Sequence, residues 1–255
     1  MLQITFLGTG TSQGIPIIGS DHPVCHSKNP KDKRLRVSIL VSDGDKNIVV
    51  DCGPDFRQQM LRENITRMDA LLFTHEHADH TAGLDDIRPF FFRQGDIPIY
   101  AHARVIEQLR IRFAYIFQRE DKYPGAPDVE INEVKNDEAF KIGDLNIQPI
   151  NVLHGKLQVF GYRFNDFAYL TDVKAVPQEE LKKLQNLDVL VVSALREEPH
   201  YSHFNLQEAL DFVALVKPKQ TYFTHISHLL GFHDEVEKGL PPNVNLAYDG
   251  LKIEI

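Results

Sequence analysis

Cysteine is scarce. The chain has two in 255 residues, Cys25 and Cys52, which is no basis for a disulfide framework. No apolar run approaches the ~20 residues of a membrane span. Met1 leads straight into Leu2-Gln3-Ile4-Thr5-Phe6-Leu7 without a basic segment, so no signal peptide is read there. Together these absences set the cytoplasm as the expected location and no membrane as a partner. Positive charge is also short. Lys and Arg number 28 against 36 Asp and Glu, a formal net charge of −8. That balance disfavours nucleic acid, whose binding needs a basic surface to displace counterions. Repeats, low-complexity tracts and linkers are missing as well, so one domain over 1–255 is expected. A hydrophobic fraction of 42% and a charged fraction of 25% suit a globular chain with a large core. The oligomeric state stays open, with a homodimer allowed.

Histidine, by contrast, is abundant, with twelve residues gathered mostly in loops. The densest stretch is Thr74-His75-Glu76-His77-Ala78-Asp79-His80, with three imidazoles and two carboxylates in six residues. It follows the apolar run Met68 to Phe73, which reads as a buried strand, and precedes a turn opening a helix. On an extended segment, side chains at i and i+2 project to the same side, so His75 and His77 aim at one point. After the turn, Asp79 and His80 face a second. Imidazole and carboxylate are the ligands of zinc, iron or manganese. Three later residues also stand where strand-like runs end: His154, Asp172 and His225.

Leu2 to Leu7 reads as a strand. The glycines of Gly8 to Gly14 invite a dinucleotide-binding reading, but Ile15-Pro16-Ile17-Ile18 blocks the helix that reading requires. A turn that brings backbone close to the metal site remains. Strands with a hairpin over Asp43-Gly44, a helix over 55–63, a helix over 103–118 and a loop over 119–128 follow. A hairpin over Asn165-Asp166, a helix over 177–184 and a capped helix from Asn205 to Val216 come next. A last hairpin over Asp249-Gly250 closes the chain.

The stretch His75 to His80 resembles the His-x-His-x-Asp-His signature of the metallo-β-lactamase superfamily. The resemblance implies a mixed α/β fold, an αββα sandwich of two mixed β-sheets flanked by helices. It implies a binuclear site of zinc or manganese. His75, His77 and His154 would hold one ion, Asp79, His80 and His225 the other, and Asp172 would bridge them. Solvent between two such ions ionises near neutral pH, its pKa lowered from ~15.7 to roughly 7, and supplies the nucleophile. Asp51 matches the superfamily's supporting aspartate, although as a residue before Cys52-Gly53-Pro54 it reads equally as a turn former.

His203 reads by itself as a solvated histidine before a helix. It also resembles the histidine of ribonuclease Z-type phosphodiesterases that contacts the phosphate and protonates the leaving oxygen, with His200 a weaker candidate. The resemblance thus gives catalytic duties to His203, Asp79 and Asp172. Gly83 to Pro89, Thr224 to His228 and the N-terminal loop are similar to the phosphoribosyl cyclic phosphodiesterase group of phosphonate breakdown. That group closes a structural zinc site with three cysteines and a late histidine. Here Ser20, His22 and Cys25 stand in the loop and His228 matches the late histidine, so His22, Cys25 and His228 would form an altered second site. Arg88 reads as a phosphate contact or as a structural ion-pair partner.

The expected function is that of a metal-dependent hydrolase, a phosphodiesterase acting on a small cyclic or linear phosphodiester. A ribonuclease Z-like tRNA 3′-end nuclease is the alternative, but no basic RNA-gripping arm is seen. A thioester hydrolase of the glyoxalase II type is another. It needs an added C-terminal helical domain, and this chain ends about thirty residues after His225.

Overall fold

A computed structural model describes residues 1–118 and 120–255. The expected lid loop over 119–128 is irregular from 120 onward, and Arg119 lies outside the described residues. Six strands come first: β1 (Leu2–Gly8), β2 (Ser38–Asp43), β3 (Lys46–Val50), β4 (Ala70–Leu72), β5 (Ile97–Ala101) and β6 (Val129–Glu133). Seven follow: β7 (Phe140–Ile142), β8 (Leu145–His154), β9 (Leu157–Phe164), β10 (Phe167–Leu170), β11 (Val189–Ser193), β12 (Gln220–Thr224) and β13 (Val244–Leu246). A final strand, β14 (Lys252–Glu254), returns to the first group. They make two seven-stranded mixed sheets, β14-β1-β2-β3-β4-β5-β6 and β13-β12-β11-β10-β9-β8-β7.

Side-chain alternation along these strands explains the layering. Ile39, Val41, Ile48 and Val50 of the first sheet meet Ile147, Tyr162, Phe164, Tyr169 and Val191 of the second in one buried cluster. Their neighbours Leu40, Val49, Leu71 and Ile99 point outward. They are covered by Phe56 and Met60 of α1 (Phe56–Arg62), Phe90 of α3 (Arg88–Gln94), and Val105 and Leu109 of α4 (Ala103–Arg112). Between α1 and α3 lies the single turn α2 (Ala78–Thr81). Beyond α4 comes α5 (Ala114–Phe117). On the far side, Ala168, Leu170, Leu190 and Val192 pack under Ala209, Phe212 and Val213 of α6 (Leu206–Val216). Strands buried on both faces read as near-continuous apolar runs, which is how Val189 to Ser193 looks in the sequence. The short helix α7 (His233–Lys238) completes the set. This is the αββα sandwich. No helix among the described residues is long and apolar enough to cross a membrane.

Some elements differ from expectation. The helix over 103–118 breaks at Phe113, whose backbone leaves the helical region at φ −122°. The turn over 178–184 is a 3-10 helix. The closing segment is no hairpin: β13 pairs in parallel with β12, and β14 pairs antiparallel with β1. Asp249 and Gly250 therefore carry the chain from one sheet to the other. Thr9 and the Leu35 N–H hold Asp249 in place, at 2.7 Å each.

Candidate metal centre

The centre forms where strands of both sheets run out. Asp51 follows β3 with a left-handed backbone, φ +65°. Its carboxylate accepts from the Thr74 N–H at 2.9 Å, from Thr74 Oγ1 at 2.8 Å and from His80 Nδ1 at 2.7 Å. One buried side chain thus fastens both ends of the histidine stretch. Glycine makes the close approach feasible. A Cβ on Gly53 would lie 2.0 Å from the Asp79 carbonyl oxygen, and one on Gly83 would lie 2.2 Å from that of Gly53. From the other sheet, β8 delivers His154 at its last position, ahead of the tight turn at Gly155 (φ +62°). Asp172 and His225 follow β10 and β12, also with positive φ, +58° and +54°. The glycine-rich N-terminal loop closes over the last of these: the Ile226 N–H donates to Thr9 O and the Thr11 N–H to Ile226 O.

These side chains converge. Donor atoms of His75, His77 and His154 lie within 4.8 Å of one another, and so do those of Asp79, His80 and His225. Asp172 lies against the second trio, with Oδ2 3.2 Å from His80 Nε2 and Oδ1 3.2 Å from His225 Nε2, and reaches the first through His75 and His154. It also groups with His75 and His80, and with His154 and His203. His77 is exposed and His154 half-buried, whereas His75, His80, Asp172 and His225 are buried. The centre therefore has an open side at the first trio and a closed floor at the second.

The donor set fits divalent cations. The partners of three rings fix their tautomers. His80 Nδ1–H donates to Asp51, His154 Nδ1–H to Ser202 O at 2.8 Å, and His75 Nδ1–H to Thr74 Oγ1 at 3.0 Å. Each Nε2 is thus turned to the centre, the orientation that outer partners impose on metal-bound histidines. His80 Nε2 and both nitrogens of His225 are buried without a hydrogen-bond partner, which would be costly in a purely structural cluster. Burial pushes the His75 and His225 imidazoles down, toward their neutral, ligating form. For Asp172, burial acts upward, but His225 and His80 outweigh it and hold the carboxyl well below its usual range. His80 is the exception among the imidazoles: burial acts downward, but Asp172, Asp79 and Asp51 outweigh it and raise its pKa well above the usual value, so this ring carries the positive charge that a divalent ion would supply.

His203 lies against this group. Its ring centroid is 4.5 Å from that of His154 and 4.8 Å from that of His225, and its Nδ1 is 3.8 Å from Asp172 Oδ1. Burial, then His225, lowers its pKa to about 2, so here it is a neutral imidazole offering one N–H. His200 stands behind it, rings 5.1 Å apart, with Nδ1 3.3 Å from Ser202 N. Arg88 pairs with Asp85 at 2.6 Å on its own turn, which is the structural reading.

The altered second site is only partly assembled. The rings of His22 and His228 meet edge-on at 4.8 Å, and His228 Nδ1 is buried without a partner. Cys25 packs with Ile15, Val24, Ile17 and Phe232 instead, and among the described residues it joins no group of three donors. A thiol behaves here as a small apolar side chain. Two supports had no signal in the sequence. Ser202 acts through its carbonyl, which any residue has, and Thr74 is an ordinary strand-end threonine.

Fold and donor set together define a class, and comparison with known proteins agrees: residues 46–226 match the Beta-lactamase superfamily domain, and the chain belongs to that superfamily. Among solved structures it is similar to a diphosphatase of the PhnP family. The identity is 40% and the TM-score 0.93, over 100% of this chain and 98% of that one. It is 38% identical over 253 residues to an octanoyltransferase of Porphyromonas gingivalis, covering 98% of this chain and 51% of that protein. The chain thus spans about half the length of that curated relative. A ribonuclease Z of Bradyrhizobium diazoefficiens is 34% identical over 86 residues, 33% of this chain and 23% of that one. The diphosphatase and ribonuclease names point to a hydrolase, and the octanoyltransferase name does not.

Proposed function

We propose that the chain hydrolyses a small phosphodiester with two divalent ions, zinc or manganese. His75, His77 and His154 would hold one, Asp79, His80 and His225 the other, with Asp172 shared. The observation that carries this reading is the pair of three-donor groups meeting at Asp172, with the His203 ring against His154 of one and His225 of the other. Ions bound there supply Lewis acidity toward a phosphoryl oxygen and a water of lowered pKa. The chain's own residues do the rest. Asp51 and Thr74 orient His80 and His75 from behind. The exposed His77 and half-buried His154 leave the first trio open to substrate, while the buried floor excludes bulk water. The His203 N–H is in reach of a phosphoryl group lying over Asp172 and can stabilise the leaving oxygen.

The 40% identical diphosphatase supports phosphoryl chemistry and favours a second reading, in which the bond cleaved is a phosphoanhydride. Acyl transfer is less well supported. Half of the octanoyltransferase lies outside the match. Both cysteines here are buried, and burial raises the Cys52 thiol well above its ordinary value, so Cys52 does not suit an acyl-accepting thiolate. The purified chain, loaded with zinc or manganese, is to be assayed on bis-p-nitrophenyl phosphate, a cyclic ribose phosphate, a diphosphate and an octanoyl thioester. Turnover of phosphoryl substrates that chelation abolishes is the expected result. Turnover of the thioester alone would overturn the proposal.

A further inference from the structure

Of the first trio, His75 and His154 have outside supports, Thr74 Oγ1 and the Ser202 carbonyl. His77 has none: among the described residues its ring makes one contact of hydrogen-bond length, to His75 at 2.9 Å. Its position depends on the backbone that carries it. That backbone is gripped from α4. Arg104, in the first turn, puts Nε 3.1 Å from Glu76 Oε1, and its Nη2 donates to Gln158 O of β9 at 2.6 Å. Arg112, in the last turn, donates from Nη1 to the Glu76 carbonyl and to Thr81 Oγ1 at 3.3 Å. Thr81 Oγ1 in turn donates to the His77 carbonyl at 2.9 Å. The helix itself is anchored by buried Val105 and Leu109. Glu76 is the residue between the two histidines, and its side chain, 15% exposed, is engaged by a cation on the scaffold.

We infer that Arg104 and Arg112 of α4 are positioning residues that clamp the segment from His75 to His77, and that the Glu76–Arg104 pair sets the metal affinity of the first trio. The clamp reaches both sheets, because Arg104 bonds β9 while holding Glu76. It therefore keeps His77, carried by the first sheet, in register with His154, carried by the second. The second trio depends on it less, since Asp51 fastens His80 and the β12 end carries His225; only Arg112, through Thr81, touches the turn that carries Asp79 and His80, and the Glu76–Arg104 pair does not. The clamp presupposes the two-ion reading above.

The test is cobalt(II) uptake by the metal-free chain, read from d–d absorption and stoichiometry, in wild type, Glu76→Gln, Arg104→Met and the double variant. Glu76→Gln keeps the size of the side chain and removes its charge, so it does not depend on refolding around a smaller residue. Each single change is expected to weaken one of the two ions by about 10-fold, the low end of the effect of losing a ligand's outer partner, because Glu76 acts on His77 through the backbone. The other ion should be unaffected, and the double variant no worse than either single, since both remove one interaction. Unchanged affinity for both ions would overturn the inference. So would equal weakening of both with a matching fall in melting temperature, which would make the pair merely structural. A wild-type chain that binds fewer than two cobalt ions would defeat the two-ion reading itself, and would do so before any substitution is compared.

Discussion

Asp51, Asp172 and His225 share an unusual trait: each is a non-glycine residue with a left-handed backbone within two residues of a strand's end. That conformation costs an L-residue roughly 1–2 kcal/mol. Aspartate and histidine are among the residues that tolerate it best. Its effect is to turn a side chain out of the sheet's alternation and over the sheet edge, where the donors of the other strands are. A substitution at Asp172 should therefore respect the backbone. Asp172→Asn tolerates positive φ but removes the charge shared by both trios. It is expected to keep the wild-type melting temperature, hold at most one ion per chain by elemental analysis, and lose roughly 10²-fold or more in diesterase rate. Two retained ions with normal turnover would refute the shared role. His203→Ala should keep both ions and lose about 10²–10⁴-fold on substrates with poor leaving groups. The loss should shrink on nitrophenyl esters, whose leaving group needs no proton. Equal losses on both would assign His203 to phosphate positioning alone.

Among the elements, α7 carries a pH dependence of its own. His233 Nδ1 lies 3.0 Å from Arg34 Nη2, a cation that needs an acceptor, so the ring must stay neutral. Burial, then Arg34, lowers the His233 pKa from 6.5 to about 4. The groups facing it are Arg34, Lys31, Glu237 and Asp234, with Asp32 accepting its backbone N–H. Between these two pKa values the unfolded chain binds the proton and the folded chain does not. Stability from this residue is thus fully present above pH 6.5 and is lost as pH falls toward 4. The loss is at most on the order of 3 kcal/mol, reduced by solvent screening. His233→Gln keeps an acceptor for Arg34 and cannot titrate. Urea unfolding from pH 4 to 7 should show a shallower acid slope in that variant, and parallel slopes would sink the assignment.

Across the whole molecule, the sandwich is tied together beside the centre by Tyr162. This residue of β9 donates its hydroxyl to the carbonyl of Phe73, on the other sheet, at 2.7 Å. Tyr162→Phe keeps the buried ring and removes the bond, so the urea midpoint should report a loss of about 1 kcal/mol, with metal content intact. At the same scale, a net charge of −8 opposes the counterion release on which RNA affinity rests. The chain should cleave small phosphodiesters in preference to tRNA precursors. Efficient 3′-end cleavage at physiological salt would reverse that order.

Local chemistry was legible without coordinates. The spacing from His75 to His80, the donors at strand ends and the capping box of Asn205 and Glu208 each involve neighbours within a few residues, where geometry follows from backbone period and residue type. Pairing between distant segments was not. Asp249-Gly250 has the composition of a hairpin turn, yet the strands on either side join different sheets, because their partners, β12 and β1, lie far away in the chain and local turn signals do not encode them. For the same reason Cys25 reads as a ligand and is found among apolar side chains. The grip of Arg104 and Arg112 on Glu76 was equally hidden, since arginines on a helix look like a solvated face. Residue types and spacings determine which atoms can act as donors. Only the folded chain decides which of them meet, because burial and contact are settled between segments that the sequence keeps far apart.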